Sequence, residues 1–233
     1  MSATVGKGTY TLEPRQLPEF ITFTGVDDET DPTGLVLLAE DYPVEFGLLF
    51  SPKRQGIEPR YPTLAAINWF TEELPLNWSA HLCGGDARAW LHEDHCNHDL
   101  RAFQRVQINT ADPLVQPSLV GNQAAKRNLR AILQCRGPFP QVESVDVLFD
   151  ASGGRGISPA EWPRSVNTTF CGYAGGLNPE NVAQAVQVIS MRATRYWIDM
   201  ESGVRDERDR FSLEKCRAVC EAVYGLPTGG GAA

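Results

Sequence analysis

The sequence predicts a single (β/α)8 barrel, and three observations carry that expectation. Eight short apolar runs recur along 233 residues. Each is followed by Gly, Pro or Asp punctuation and then a helical pattern, the mark of parallel βα units. The length suits one barrel, which typically takes about 250 residues. With 42% hydrophobic and 21% charged residues, the composition is that of an ordinary globular domain and suggests neither disorder nor a fibrous architecture. An open doubly wound sheet is the structural alternative.

In chain order the strands are expected near 20–24 (FITFT), 44–50 (VEFGLLF), 76–83 (LNWSAHLC) and 104–109 (QRVQIN). The other four are expected near 131–136 (AILQCR), 146–150 (DVLFD), 169–174 (TFCGYA) and 196–200 (YWIDM). Two helices are well signalled. Asn178, Pro179 and Glu180 give an N-cap, a first-turn proline and an acid at the positive helix end, ahead of Val182, Ala185, Val186 and Ile189 on one face. Ser212 is placed to cap the last helix, where Cys216, Val219, Cys220 and Val223 repeat the spacing. Between the fifth and sixth strands, GPFPQVESV leaves room for only a short helix or loop. The expected organisation is an N-terminal extension over residues 1–18, a barrel over 19–226 and a disordered tail over 227–233.

The formal charge of −8 argues for solubility and against a broad phosphate-backbone footprint on nucleic acid. No run approaches the ~20 apolar residues of a membrane span, and the first twenty residues lack the pattern of a leader. A cytoplasmic protein without a membrane partner is expected. Six cysteines are too sparse for a disulfide scaffold, and buried thiols are the expectation.

Five segments carry candidate chemistry. In 174–179 (AGGLNP), Gly175 and Gly176 follow a strand and open into a capped helix, which lets backbone N–H groups and the helix dipole meet an anion. In 201–204 (ESGV), Ser202 and Gly203 follow the eighth strand, and the loops after strands seven and eight are the usual phosphate cradle of a barrel. In 148–156 (LFDASGGRG), the strand-end carboxylate Asp150 precedes a glycine loop containing Gly154, an arrangement suited to proton transfer under a closing loop. An acid that merely caps its own loop amides is the plainer alternative. The basic loop at 51–62 offers Lys53, Arg54 and Arg60 for a substrate anion. The donor-rich stretch 92–99 (HEDHCNHD) reads as a polar face away from the mouth, with a surface metal site as the minor alternative. No metal and no cofactor are called for.

These residues resemble phosphoribosylanthranilate isomerase, the barrel enzyme of tryptophan biosynthesis. The likeness rests on YAGGLNPENV at 173–182, FDASGGRG at 149–156, DMESGV at 199–204, PRYP at 59–62 and VQIN at 106–109, which fall in family order along most of the chain. The resemblance implies that Asp150 is the general acid that opens the sugar ring and that Arg60 holds a substrate carboxylate. It also implies that Gly175, Gly176, Ser202 and Gly203 hold the phosphate, with Gly154 of the strand-six loop counted among the phosphate-binding residues. By the same alignment Gln107 and Asn109 fall on the substrate side of strand four. The chain departs from the pattern in three places: Thr24 stands where the family has its basic cysteine, Asn109 where it has a histidine, and Glu201 where it has a serine.

The expected function is therefore acid/base isomerisation of a phosphorylated sugar derivative, with Asp150 as acid and a relocated base. Glu201, Cys83, His81 and Asp27 are the candidates; the plainer roles are a loop cap for Asp27, a core thiol for Cys83 and a satisfied buried histidine for His81. Asp199 and Glu201 share one side of the last strand. The rival classes are a non-catalytic phosphate-binding barrel and a lyase or aldolase. The partner is a small phosphorylated molecule, and nothing in the sequence sets the oligomeric state.

Overall fold

A computed structural model describes residues 16–93, 96–110, 112, 114–153, 155–165 and 170–227. Eight parallel strands close in sequence order into one barrel. They are β1 (Ile21–Thr24), β2 (Val44–Phe50), β3 (Trp78–Cys83), β4 (Arg105–Asn109), β5 (Arg130–Cys135), β6 (Asp146–Asp150), β7 (Cys171–Ala174) and β8 (Tyr196–Met200). The pairing of β1 with β8, Ile21 opposite Ile198 and Phe23 opposite Met200, completes the circle. Closure rules out the open doubly wound alternative and leaves no free sheet edge.

Around the barrel stand α1 (Pro32–Asp41), α2 (Leu64–Glu73), α3 (Gly85–Glu93), α4 (Pro117–Ala125), α5 (Val182–Ser190) and α6 (Leu213–Tyr224). Among the described residues the β5–β6 and β6–β7 connections hold no helix. The proline- and glycine-rich chain there forms loops instead. The start of α5 also differs from expectation: it begins at Val182, after a turn whose N–H groups at Glu180 and Asn181 donate to Asn178 Oδ1 at 3.1 and 3.0 Å. Asn178 is thus a cap, one short turn ahead of the helix. Ser212 caps α6 as expected, accepting from Lys215 N.

Strand alternation sorts the side chains. Ile21, Phe23, Phe46, Leu48, Trp78, Ala80, Val106, Ile108 and Tyr173 face outward into one continuous apolar layer beneath the helices. Cys216 and Cys220 lie fully buried in that layer as free thiols. The opposite face lines the barrel interior and is far more polar. At its N-terminal end, Arg105 lies 4.1 Å from the Trp197 ring centroid and 5.1 Å from Phe20. Its guanidinium also meets Glu45 at 3.1 Å and Asp146 at 3.7 Å. This plug of paired charge and aromatic rings lies in the lower barrel, opposite the C-terminal strand ends. Pairing is what makes such buried charge tolerable. Among the described residues no helix is long and apolar enough to cross a membrane.

Candidate active site

A cavity of about 760 Å³ opens at the C-terminal ends of the strands, large enough for a small organic ligand. Three loops form one wall. Gly203 packs so tightly on the loop after β7 that a Cβ there would stand 1.9 Å from Leu177 O. A Cβ on Gly156 would meet Ser202 Oγ at 3.2 Å, and one on Gly176 would meet Ser158 N at 2.3 Å. Gly175 and Gly176 adopt φ of +115° and +63°, the left-handed region that side chains avoid. Glycine is therefore required where the loops after β6, β7 and β8 converge. Asn181 Nδ2 and Ser158 Oγ both donate to Gly176 O, at 2.7 and 3.4 Å, and fix that turn. The two segments singled out as a phosphate cradle are in direct contact; Gly154 lies outside the described residues.

Asp150 sits at the end of β6, buried to 4% exposure, where its Oδ1 accepts from Ser152 N at 3.0 Å and Ser152 Oγ at 2.7 Å. It thus caps its own loop while lining the cavity, so the plainer alternative is realised alongside the functional placement. A Cβ on Gly175 would stand 3.5 Å from Asp150 Oδ1. The carboxyl therefore borders the glycine turn.

Glu201 follows β8 and reaches the mouth, as strand alternation requires. Its Oε1 accepts from Arg60 Nη1 at 2.8 Å, and the same guanidinium nitrogen donates to Ser202 Oγ at 3.0 Å. Burial raises the Glu201 carboxyl above its ordinary range, and Arg60 opposes the rise. Arg60 is engaged on its other edge too, where Nε and Nη2 donate to Asp209, with Nη2–Oδ1 at 2.8 Å. The expected substrate clamp is thus already held by two carboxylates of the chain, next to the cradle serine.

Sequence reasoning missed the support behind this pair. Arg205, buried to 3% exposure, donates to Gly25 O at 2.6 Å, to Asp27 Oδ2 at 3.0 Å and to Asp209 O at 2.8 Å. Asp27 further accepts from Phe211 N at 2.7 Å. Asp27 is accordingly a structural anchor of the loop after β8 and is not among the residues lining the cavity. Asp209 holds a left-handed φ of 58°, a conformation Asp tolerates better than most residues. The alternating charges of 205–210 (RDERDR) were the available signal.

Cys83 and Asn109 are opposed at the ends of β3 and β4, and Asn109 Nδ2 lies 3.2 Å from Cys83 Sγ. Burial pushes the Cys83 thiol up to about 11, which leaves it protonated at neutral pH. Gln107 donates through Nε2 to Asn109 Oδ1 at 2.8 Å. Lys53 borders the cavity from an exposed loop, and Arg54 donates to Tyr61 Oη at 3.0 Å.

One layer lower, Thr24 donates to Asp199 Oδ1 at 2.9 Å. The position that holds a cysteine in the resembled family here carries a hydroxyl committed to a buried carboxyl. Burial raises Asp199 well above the ordinary carboxylate range, with the Thr24 bond opposing. His81, reckoned a satisfied buried histidine in the plainer reading, has no partner for Nε2 among the described residues. Burial, aided by Arg105, lowers it to about 3, so the imidazole is neutral.

The donor-rich stretch lies elsewhere. His98 Nε2 is 3.1 Å from Asp86 Oδ2, and its ring packs 4.5 Å from Phe50 on the outer face of the barrel. Asp94 and His95 lie outside the described residues. Among the described residues no three His, Cys, Asp or Glu side chains form a metal-holding group.

No protein family matches the chain as a whole or in part, and no curated protein matches it. Solved structures do. TrpF from Jonesia denitrificans superposes with a TM-score of 0.62 at 18% identity, covering 90% of this chain and 98% of that one. Phosphoribosyl anthranilate isomerase from Thermus thermophilus gives 0.60 at 18% identity, covering 87% and 96%. A mutant tryptophan synthase α-subunit from Pyrococcus furiosus gives 0.54 at 12% identity, covering 91% and 100%. The chain therefore has the (β/α)8 barrel fold seen in phosphoribosylanthranilate isomerases.

Proposed function

We propose that the chain is an isomerase-like enzyme that binds a phosphorylated sugar derivative and rearranges it by acid/base catalysis. One observation carries the reading: the glycine turns after β6, β7 and β8 meet at one cavity wall, with Asp150 and Glu201 beside them. In this scheme the phosphate rests against Gly175, Gly176, Ser202 and Gly203, with Arg60 adding charge next to Ser202. Asp150 protonates the ring oxygen, the ring opens, and Glu201 removes the proton from the adjacent carbon. Glu201 must be ionised for that step, and Arg60 both keeps it so and aims it. Cys83, protonated at neutral pH, is disfavoured as the base. The resemblance to phosphoribosylanthranilate isomerase and the likeness in fold support an Amadori-type rearrangement, acting on a cytoplasmic metabolite.

A second reading has its own support. Asp150 is bonded to Ser152 and Glu201 to Arg60, which suits a non-catalytic phosphate-binding barrel. Turnover of phosphoribosylanthranilate, followed by loss of its fluorescence, separates the two. Turnover above background that disappears in Asp150→Asn supports the isomerase. Tight binding without turnover favours the sensor.

A further inference from the structure

The lower layer of the cavity presents three buried polar atoms with no hydrogen-bond partner among the described residues: His81 Nε2, Gln107 Oε1 and Asp199 Oδ2. Their residues are 1%, 3% and 5% exposed, and all three line the cavity. Native proteins rarely leave such atoms unbonded, because an unmade bond costs about 1–3 kcal/mol per group. The three come from different strands and lie together. His81 and Gln107 are opposed in the β3–β4 register. A Cβ on Gly47 would stand 3.0 Å from His81 Nε2 and 2.6 Å from Thr24 Oγ1, the hydroxyl that bonds Asp199. Gly47 thus keeps open the space between His81 and the Thr24–Asp199 pair, which any larger residue would close.

We infer that His81, Gln107 and Asp199 form a floor subsite that takes an uncharged, hydroxyl-rich end of the ligand. The inference rests on the proposed function for the phosphate end and adds what the other end must be. The chemistry of the floor selects its occupant. The neutral imidazole and the amide carry no charge, and burial favours the uncharged form of Asp199. Arg105, a buried cation whose charge is felt at His81 and Asp199, is paired through Nη1 with Glu45 and stacked on Trp197. A second phosphate, a carboxylate or an ammonium would be desolvated here without a counter-charge, whereas hydroxyl groups both donate and accept. The site is therefore polar at the mouth towards an anion and polar at the floor towards a polyol.

The test compares three probes by calorimetric titration: inorganic phosphate, ribose 5-phosphate and ribose. Ribose 5-phosphate is expected to bind at least tenfold more tightly than phosphate, the effect of about one good buried hydrogen bond. Gln107→Met, which keeps side-chain length and removes the amide, should abolish that ratio while phosphate affinity stays. Asp199→Leu should do the same, and Asp199→Asn, a neutral isostere, should keep the ratio; thermal melts establish that each variant is folded. If phosphate binds but ribose 5-phosphate binds no tighter, or the ratio survives both Gln107→Met and Asp199→Leu, the floor subsite is wrong and the cradle stands. If phosphate fails but ribose binds and is lost in Gln107→Met, the floor stands and the phosphate reading falls. If neither ribose nor ribose 5-phosphate binds, the floor subsite is overturned.

Discussion

At the scale of single residues the site is governed by how each carboxyl is partnered. Glu201 is half-buried and held by Arg60, so its carboxyl is raised but oriented. If it is the base, the rate should rise with pH through a pKa above the ordinary glutamate value, because only the ionised form accepts a proton. Glu201→Gln should lower turnover by about 10²-fold or more and remove that limb of the profile. A profile unchanged in Glu201→Gln would assign the base elsewhere. Asp199 is buried with one oxygen unbonded among the described residues, and its native pKa lies well above the unfolded value near 4. The folded state then binds the extra proton, so its contribution is present below about pH 4 and lost as pH rises through the folded pKa. Asp199→Asn should therefore raise the melting temperature at neutral pH, with the difference closing below about pH 4. A variant that is less stable than wild type at pH 7 would contradict this account. Asp150 and Glu201 could be placed at the mouth from the sequence because they stand at strand ends, where alternation fixes their side. What was not legible was their pairing, because Arg60 and Glu201 are 141 residues apart and meet only on closure.

At the scale of elements, the loops after β7 and β8 behave as one unit. Gly203 touches Leu177 O, and Asn178 and Asn181 lock the turn that begins at Gly175. A methyl group at Gly203 cannot be placed without moving one loop. Gly203→Ala should destabilise by about 1–3 kcal/mol, the usual range for overpacking, and should also weaken phosphate binding. Unchanged stability and unchanged affinity would show that the contact is slack. The glycines were legible as loop punctuation, and their convergence followed from the barrel order. The start of α5 was read three residues early because Asn178 has the side chain of a cap and uses it as one, on the turn rather than the helix. The loop at 205–211 was not singled out as a support, since which of its alternating charges turn inward is set only by the fold. In the fold Arg205 is instead drawn under Gly25 and Asp27.

At the scale of the whole molecule, the alternation of apolar runs and helices was enough to specify the barrel, because parallel strands with short crossovers have few other ways to close. The interior was harder. Glu45, Arg105 and Asp146 stand within strands recognised by their apolar neighbours, and only closure shows that all three turn inward to one plug. That plug leaves the cavity at the C-terminal end, where the glycine turns form one wall and His81, Gln107 and Asp199 the floor. The central claim is that the wall formed by Gly175, Gly176, Ser202 and Gly203 holds the phosphate of a sugar derivative. A crystal soaked with ribose 5-phosphate tests it most directly. The account predicts phosphate density between the turns after β7 and β8, within hydrogen-bonding distance of their backbone amides and beside Arg60. Phosphate bound at the exposed 53–54 loop instead, with the glycine wall unoccupied, would contradict it.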